Sequence, residues 1–158
     1  MSSLKSVKGI EFVFTLGILL VASTTIHEYG HLVTLRLLGG RGVIESNILT
    51  GVQMKQPCQY SYGNNIVAFM GGWSAGLIFL LLWVVSEDPE DKVARFSIAI
   101  YQLIYGTFEG VWFILGNDVF LLVGVLLGVG LMLLTMITAL VRRKVVFKFI
   151  TRQNSVNS

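Results

Sequence analysis

A five-residue stretch, His27-Glu28-Tyr29-Gly30-His31, combines two imidazoles and a carboxylate at the HExxH spacing. Residues four apart lie one above the other on a helix, so both histidines can bind one metal ion while the glutamate faces the water that this ion carries. The pattern is typical of zinc hydrolases, in which the glutamate takes a proton from that water. We therefore predict that His27 and His31 are zinc ligands and that Glu28 is the catalytic base.

The sequence around this motif is strongly apolar. The motif lies inside an apolar segment that covers residues 10–38 and is followed by Gly39 and Gly40. Ionisable groups are costly inside a membrane, so three of them within five residues indicate a functional site. The alternative is that the three polar groups satisfy one another or a buried partner.

The composition is that of a membrane protein. Of the 158 residues, 54% are hydrophobic and only 13% are charged, which is outside the balance of a soluble domain. We predict an all-α, multi-pass integral membrane protein with a single domain, residues 1–158. Basic residues cluster near the carboxyl end, which favours lipid headgroups over nucleic acid as a partner. Four apolar runs are long enough to span a membrane: residues 10–38, 66–85, 93–115 and 119–141.

The segment between the first two apolar runs, residues 41–62, is too polar to span a membrane. Its β-branched residues on either side of Gly51 predict two short strands or a re-entrant hairpin, and an irregular interfacial loop is the alternative. Open strand edges are not tolerated against lipid, so a hairpin must lie at the interface or beside a water-filled cavity. Such an edge can hold an extended peptide by strand addition.

Glycines within the apolar runs predict close helix packing. Gly72 and Gly76 have small-xxx-small spacing in the second run, and Gly106 and Gly110 have it in the third. The acidic residues of segment 86–92 predict a solvated turn before the third helix.

The third zinc ligand is not evident from the motif. A catalytic zinc site usually has three protein ligands, and both histidines of the chain are already in HExxH. The third is therefore a carboxylate, Cys58 or a group outside the chain. We predict Asp118, because it stands beside Gly116 and Asn117 at a break between apolar runs, although it could instead cap the following helix. Glu109 is the second candidate; otherwise it is a protonated core residue or a proton relay.

Three motifs together resemble those of a known family. HEYGH at residues 27–31, the glycine-rich residues 71–76 and the pair Asn117-Asp118 are similar to the three signatures of the site-2 proteases, intramembrane zinc metalloproteases. The resemblance covers most of the chain, as a minimal four-helix version of the family's core. In the second signature, Trp73 and Gly76 stand where the family usually has proline and asparagine. The third signature is reduced to Asn117-Asp118.

The resemblance implies specific roles for residues of this chain. His27, His31 and Asp118 would bind zinc, Glu28 would activate water, and the substrates would be transmembrane segments of other membrane proteins. Two other functions are open: a catalytically inactive relative that acts as a membrane chaperone or regulator, and a metal transporter. Retention of all four residues argues against the first, and clustering of the ligands on one motif argues against the second.

Overall fold

The computed structural model describes residues 2–47, 51–55 and 64–156, so Cys58 lies outside the described residues. Within these ranges the regular elements are four helices and one two-stranded hairpin, which confirms the predicted fold class. The elements in chain order are α1 (Ser2–Leu37), β1 (Val43–Asn47), β2 (Gly51–Lys55), α2 (Asn64–Val85), α3 (Pro89–Leu115) and α4 (Asp118–Val156).

Each helix contains a stretch long and apolar enough to cross a membrane, and the chain is a multi-pass membrane protein. The candidate spans agree closely with those predicted from the sequence: Phe12–Leu37, Asn65–Val85, Pro89–Leu115 and Asp118–Ala139. Much of the surface of these helices is apolar and exposed, as expected for helices that face lipid.

The first helix ends at the predicted glycines. Gly39 adopts a left-handed φ of 80°, and the N–H of Gly40 donates to the carbonyl of Leu35 at 2.9 Å. A residue without Cβ takes this conformation at no steric cost, so the glycine pair ends α1. Gly116 ends α3 in the same way, with φ 63° and a hydrogen bond from its N–H to the Trp112 carbonyl.

The third helix begins earlier than the sequence predicts. The acidic segment 86–92 predicts a turn, yet Pro89 already starts α3. The Asp88 carboxylate accepts hydrogen bonds from the backbone N–H groups of Glu90 and Asp91, which would otherwise lack partners at a helix start. Proline at the first helical position adds a preset φ. The carboxylates of Glu90 and Asp91 therefore belong to the first turn of α3.

The strands form an antiparallel hairpin. Val43 pairs with Lys55 and Asn47 pairs with Gly51. Both strands contact α1, the helix that carries HExxH. The predicted hairpin is thereby confirmed within residues 43–47 and 51–55.

Helix α3 lies at the centre of the helical arrangement. It packs against each of the other three helices, whereas among the described residues α4 contacts α3 alone. The predicted glycine contacts are present: a Cβ on Gly72 would collide with the backbone of Gly106, and one on Gly110 would collide with the ring of Phe69. These glycines let the α2 and α3 backbones approach closely, which confirms their predicted packing role. The close approach brings both helices next to HExxH.

Candidate metal centre

Two helices supply three potential metal ligands that converge on one point. His27 and His31 are on α1 and Glu109 is on α3; both histidines are buried, with 4% and 7% of their surface exposed. The two Nε2 atoms are 3.0 Å apart. Glu109 Oε2 lies 2.9 Å from Nε2 of His27 and 3.4 Å from Nε2 of His31. The predicted histidine pair therefore has a carboxylate partner from another helix.

The separations between these donors fit a small metal ion. Ligands bound to zinc at about 2.0 to 2.1 Å with tetrahedral angles lie roughly 3.3 to 3.4 Å from one another. The three observed separations, 2.9, 3.0 and 3.4 Å, are at or slightly below this value. Two histidines and a glutamate are moreover a ligand set of catalytic zinc sites, which leave the fourth position open.

The outer nitrogen of His31 is fixed by the backbone of α2. Its Nδ1 lies 2.7 Å from the carbonyl oxygen of Val67. A carbonyl oxygen only accepts hydrogen bonds, so Nδ1 carries the proton and donates it. In the neutral ring, Nε2 then presents a lone pair to the centre. This arrangement, in which the outer nitrogen of a ligating histidine donates to a backbone carbonyl, is common in metal sites.

The outer nitrogen of His27 is fixed by a chain of buried polar side chains. Gln102 Nε2 donates to Ser23 Oγ at 2.8 Å, and the Ser23 hydroxyl donates to the Leu20 carbonyl at 2.8 Å. These bonds orient the Gln102 amide so that its Oε1 faces His27 Nδ1, 3.0 Å away. The His27 Nδ1–H therefore donates to Gln102, and its Nε2 is left as a lone pair, as in His31.

When both rings are neutral, the centre therefore gathers lone pairs with no proton between them. Both Nε2 atoms then face each other as acceptors, and among the described residues the buried Glu109 Oε2 has no hydrogen-bond donor. A buried, unpartnered carboxylate oxygen is costly unless a cation compensates it. A metal ion bound by all three atoms supplies that compensation.

A glycine on α2 makes room for one of the ligands. A Cβ at Gly71 would collide with Nε2, Cε1 and Cδ2 of His31, and one at Gly30 would collide with Ser74 Oγ. The imidazole of His31 therefore lies directly against the α2 backbone. The sequence predicts that the glycines of stretch 71–76 allow close helix packing. Gly71 in addition makes room for the His31 ring.

Helix α3 presents more than Glu109 to the centre. Gln102, Tyr105 and Glu109 lie on one face because they are spaced three and four residues apart. The ring of Tyr105 lies beside that of His27, with centroids 5.4 Å apart, and stacks on Tyr101 at 5.9 Å. Sequence reasoning missed Gln102, Ser23 and Tyr105. A polar stripe on one face of an otherwise apolar span was the available signal.

The predicted base, Glu28, lies on α1 between the two histidines in sequence and is partly buried. On a helix it projects about 100° from His27 and about 60° from His31, so it is on the side of α1 next to the ligands. Its role in proton transfer stays a prediction.

The predicted third ligand, Asp118, makes a different contact. Its Oδ1 accepts a hydrogen bond from Trp112 Nε1 at 2.8 Å, and the residue is exposed at the first position of α4. The neighbouring Asn117 caps α4, since its Oδ1 accepts from the N–H of Val119. Among the described residues, the group of possible ligands contains His27, His31 and Glu109 and does not include Asp118. A ligand role for Asp118 stays a prediction that the geometry does not favour.

The chain has no match among known protein families, curated proteins or solved structures. The class of protein is therefore defined by the fold and the site alone. It is a multi-pass membrane protein whose His27, His31 and Glu109 form a buried group that could bind a metal ion.

Proposed function

We propose that this protein is an intramembrane zinc metalloprotease that hydrolyses peptide bonds in transmembrane segments of other membrane proteins. The observation that carries the proposal is the convergence of His27 Nε2, His31 Nε2 and Glu109 Oε2 inside a helix bundle that spans the membrane. In this proposal those three residues hold the zinc ion and Glu28 is the general base. The resemblance of HEYGH and of residues 71–76 to the site-2 protease signatures supports the same reaction.

The residues around the centre orient the two imidazoles to bind a metal ion. In the neutral rings, the hydrogen bonds to Gln102 and to the Val67 carbonyl keep the proton on Nδ1, so Nε2 is left to bind the ion. When bound, zinc would supply an acidified water and an electrophile for the scissile carbonyl. Two neutral imidazoles and one carboxylate leave a divalent ion with a net positive charge, which favours that chemistry.

Glu28 would carry the proton during the reaction. It would accept the proton from the attacking water and return it to the amine that leaves. Glutamine has the shape of glutamate but no basic oxygen, so replacing Glu28 removes proton transfer without removing a metal ligand.

The proposed substrates follow from the location of the centre. His27 is ten residues from the end of α1 at Leu37, which is about 15 Å along a helix, so a bond reaching the centre lies within the membrane. A helical substrate must unwind there, because its carbonyls are otherwise hydrogen-bonded. The hairpin of β1 and β2 contacts α1 and offers strand edges that would hold an unwound segment by strand addition.

The assignment of the third ligand differs from the one that the resemblance implies. We assign Glu109 in place of Asp118, because among the described residues Glu109 Oε2 has no partner besides the two histidines, whereas Asp118 accepts from Trp112. The proposed centre is thus formed by α1 and α3, and the break before α4 is not part of it.

A test that works with an unidentified substrate compares membranes from cells that express the wild type, Glu28→Gln or Tyr29→Phe. Tyr29 is the control, because it is adjacent in sequence but 52% exposed. Peptide mapping by mass spectrometry should find new chain ends within transmembrane segments in the wild-type and Tyr29→Phe membranes. Glu28→Gln should yield none while retaining the metal.

The same experiment can overturn the proposal. Identical chain ends in wild-type and Glu28→Gln membranes would exclude Glu28 as the base. Stoichiometric zinc with no new chain ends in any membrane protein would favour a regulator that has kept the metal site. Absence of bound metal from the purified wild type would exclude zinc catalysis altogether.

A further inference from the structure

Tyr105 places a phenol beside two of the three potential metal ligands. Its ring lies next to that of His27, with centroids 5.4 Å apart and ring planes tilted by 46°. Tyr105 also precedes Glu109 by four residues on α3, so the two side chains share one face of that helix. The Tyr105 side chain is therefore part of the wall of the metal centre.

The position of the Tyr105 ring is fixed by a second tyrosine. Tyr101 stacks on it with centroids 5.9 Å apart and ring planes inclined by only 14°. Tyr101 in turn lies against α4, since a Cβ at Gly128 would be 2.9 Å from its Cδ2. A ring that packs on both His27 and Tyr101 has little freedom left, so a hydrogen-bond donor on this ring is preorganised.

The hydroxyl of Tyr105 is not used to hold the fold together. Within the part of the chain that the structure describes, it makes no hydrogen bond, although the residue is half-buried and lies inside the third candidate span. A hydroxyl that has left bulk water is costly without a hydrogen-bond partner. The centre thus contains a free O–H group, for which water or the carbonyl oxygen of a substrate is the missing partner.

Three other polar side chains close to the centre already have acceptors for their donor groups. Ser23 donates to the Leu20 carbonyl, Ser74 donates to the Gly71 carbonyl, and the Gln102 amide donates to Ser23. Tyr101 also has a hydroxyl without a hydrogen bond among the described residues, but it is eight residues, about two helical turns, from Glu109. Tyr105 is therefore the donor best placed to meet a substrate at the centre.

Peptide hydrolysis at such a centre places negative charge on an oxygen atom. Water adds to the scissile carbonyl carbon while Glu28 accepts its proton, and the π electron pair of the carbonyl moves onto the carbonyl oxygen. That pair forms the double bond again when the C–N bond breaks, and Glu28 returns the proton to the nitrogen. A neutral donor beside the oxygen stabilises this charge more than it stabilises the uncharged carbonyl of the bound substrate. A phenol is such a donor, and it keeps its own proton throughout.

We propose that Tyr105 is a catalytic residue, whose hydroxyl donates a hydrogen bond to the scissile carbonyl oxygen as negative charge develops there. This inference rests on the proposed function, because it names a further group that acts in the same hydrolysis. Glu28 of α1 acts on the attacking water, and Tyr105 of α3 acts on the oxygen of the scissile bond. Every peptide bond has this oxygen, so Tyr105 contributes to the rate and not to the choice of substrate.

The test measures peptide cleavage by the purified protein in detergent. The substrate is a synthetic transmembrane peptide containing a site at which the wild type, but not Glu28→Gln, produces new chain ends in membranes. Tyr105→Phe removes one oxygen atom and keeps the ring, so kcat should fall roughly 100-fold while KM changes by less than about threefold. Its zinc content and thermal midpoint should equal those of the wild type. Tyr29→Phe is the matched control, because Tyr29 is 52% exposed, and its kcat should be unchanged.

A transition-state analogue separates a catalytic role from a structural one. A phosphinic peptide of the same sequence has a negatively charged oxygen where the substrate has its carbonyl oxygen. Its inhibition constant should rise roughly 100-fold in Tyr105→Phe, in parallel with the fall in kcat/KM. In Tyr29→Phe the inhibition constant should equal that of the wild type.

The outcomes distinguish a failure of this inference from a failure of the proposed function. A kcat in Tyr105→Phe within about threefold of the wild-type value would overturn the role of Tyr105 and leave the protease assignment intact. Loss of zinc or a lower thermal midpoint in that variant would also overturn it, since Tyr105 would then support the fold or the ligands. Absence of chain ends that depend on Glu28 would overturn the proposed function, and the role of Tyr105 with it.

Discussion

His27 and His31 point their Nε2 atoms at each other across 3.0 Å, and the outer nitrogen of each ring is held by an acceptor from a different helix. For His27 the acceptor is Gln102 of α3, and for His31 it is the Val67 carbonyl of α2. The motif on α1 is therefore completed by two other helices, so metal binding depends on the assembled bundle. This dependence makes the roles of single residues testable.

The first prediction concerns the identity of the ligands. His27→Ala and Glu109→Ala should each remove one of three donors, and the zinc affinity should fall by roughly 100-fold or more, beyond the ~10- to 100-fold typical of residues that only support a ligand. Asp118→Asn should retain about one zinc per chain, because Asp118 contacts Trp112 instead. Metal analysis of the purified variants in the same detergent measures this.

The opposite pattern of zinc binding in the two carboxylate variants would contradict the assignment of Glu109 as a ligand. Zinc retained in Glu109→Ala but lost in Asp118→Asn would move the third ligand to the start of α4 and restore the ligand set implied by the site-2 protease resemblance. Glu45→Gln is the control for a general effect of lost negative charge, because this residue is exposed on the hairpin.

The second prediction concerns the support of His27. Gln102→Leu removes the acceptor for the His27 Nδ1–H in a residue that is 1% exposed, so the ring loses its fixed tautomer. Zinc affinity, measured by competition with a chelator, should fall about 10- to 100-fold. Gln102→Glu keeps an acceptor and should restore part of the affinity.

A matched control is available on the same helix. Thr107→Val removes the hydrogen bond from Trp73 Nε1, which lies at an exposed position of the α2–α3 contact. Its zinc affinity should equal that of the wild type. If Gln102→Leu and Thr107→Val have the same affinity, Gln102 does not position His27.

The sequence alone was sufficient for the fold class and for two of the three residues of the centre. The lengths of the apolar runs determine the four helices, and helical geometry alone places His27 and His31 together. The hairpin and the glycine contacts also follow from local composition. The predicted start of α3 was too late, because the charges of residues 86–92 suggested a solvated turn. Asp88 followed by Pro89 is nevertheless a signal for the start of a helix.

The third ligand could not be derived in this way because it depends on how two helices pack. Glu109 is on α3 whereas Asp118 begins α4, and the rotation of α3 about its axis decides whether Glu109 meets α1. That rotation is set by the contact of Gly106 with Gly72 and of Gly110 with Phe69. The Val67 carbonyl that binds His31 has no sequence signal at all, because every residue has a carbonyl group.

The third prediction tests the close approach of α2 to His31. In Gly71→Ala the new Cβ would occupy the place of the His31 ring, so the ring must move away from the Val67 carbonyl and from the centre. Zinc affinity should fall by at least tenfold. Gly130→Ala is the control, because a Cβ there meets no atom within 4 Å. Unchanged zinc affinity in Gly71→Ala would contradict the described position of His31.

The fourth prediction concerns the helix start at Asp88. Asp88→Ala removes the acceptor for the N–H groups of Glu90 and Asp91 and should destabilise the protein by about 0.5 to 2 kcal/mol. Asp88→Asn, which also caps well, should lose much less. The thermal midpoint in detergent measures the difference, and Glu87→Ala serves as the control for charge. Equal midpoints for Asp88→Ala and Glu87→Ala would show that the cap adds no stability.

The fifth prediction links metal binding to the stability of the bundle. A ligand that binds only the folded protein stabilises it, by about 2.7 kcal/mol at a free concentration 100 times its Kd. The effect should be large for this centre because its donors come from α1 and α3, which the ion would join. Zinc should therefore raise the thermal midpoint of the metal-free wild type by several degrees, and a chelator should reverse the shift. Glu109→Gln keeps the size of the side chain but lacks its charge, so its midpoint should respond little to zinc. A shift of the same size in Glu109→Gln would mean that zinc binds elsewhere, and the α1–α3 centre would then lose its support.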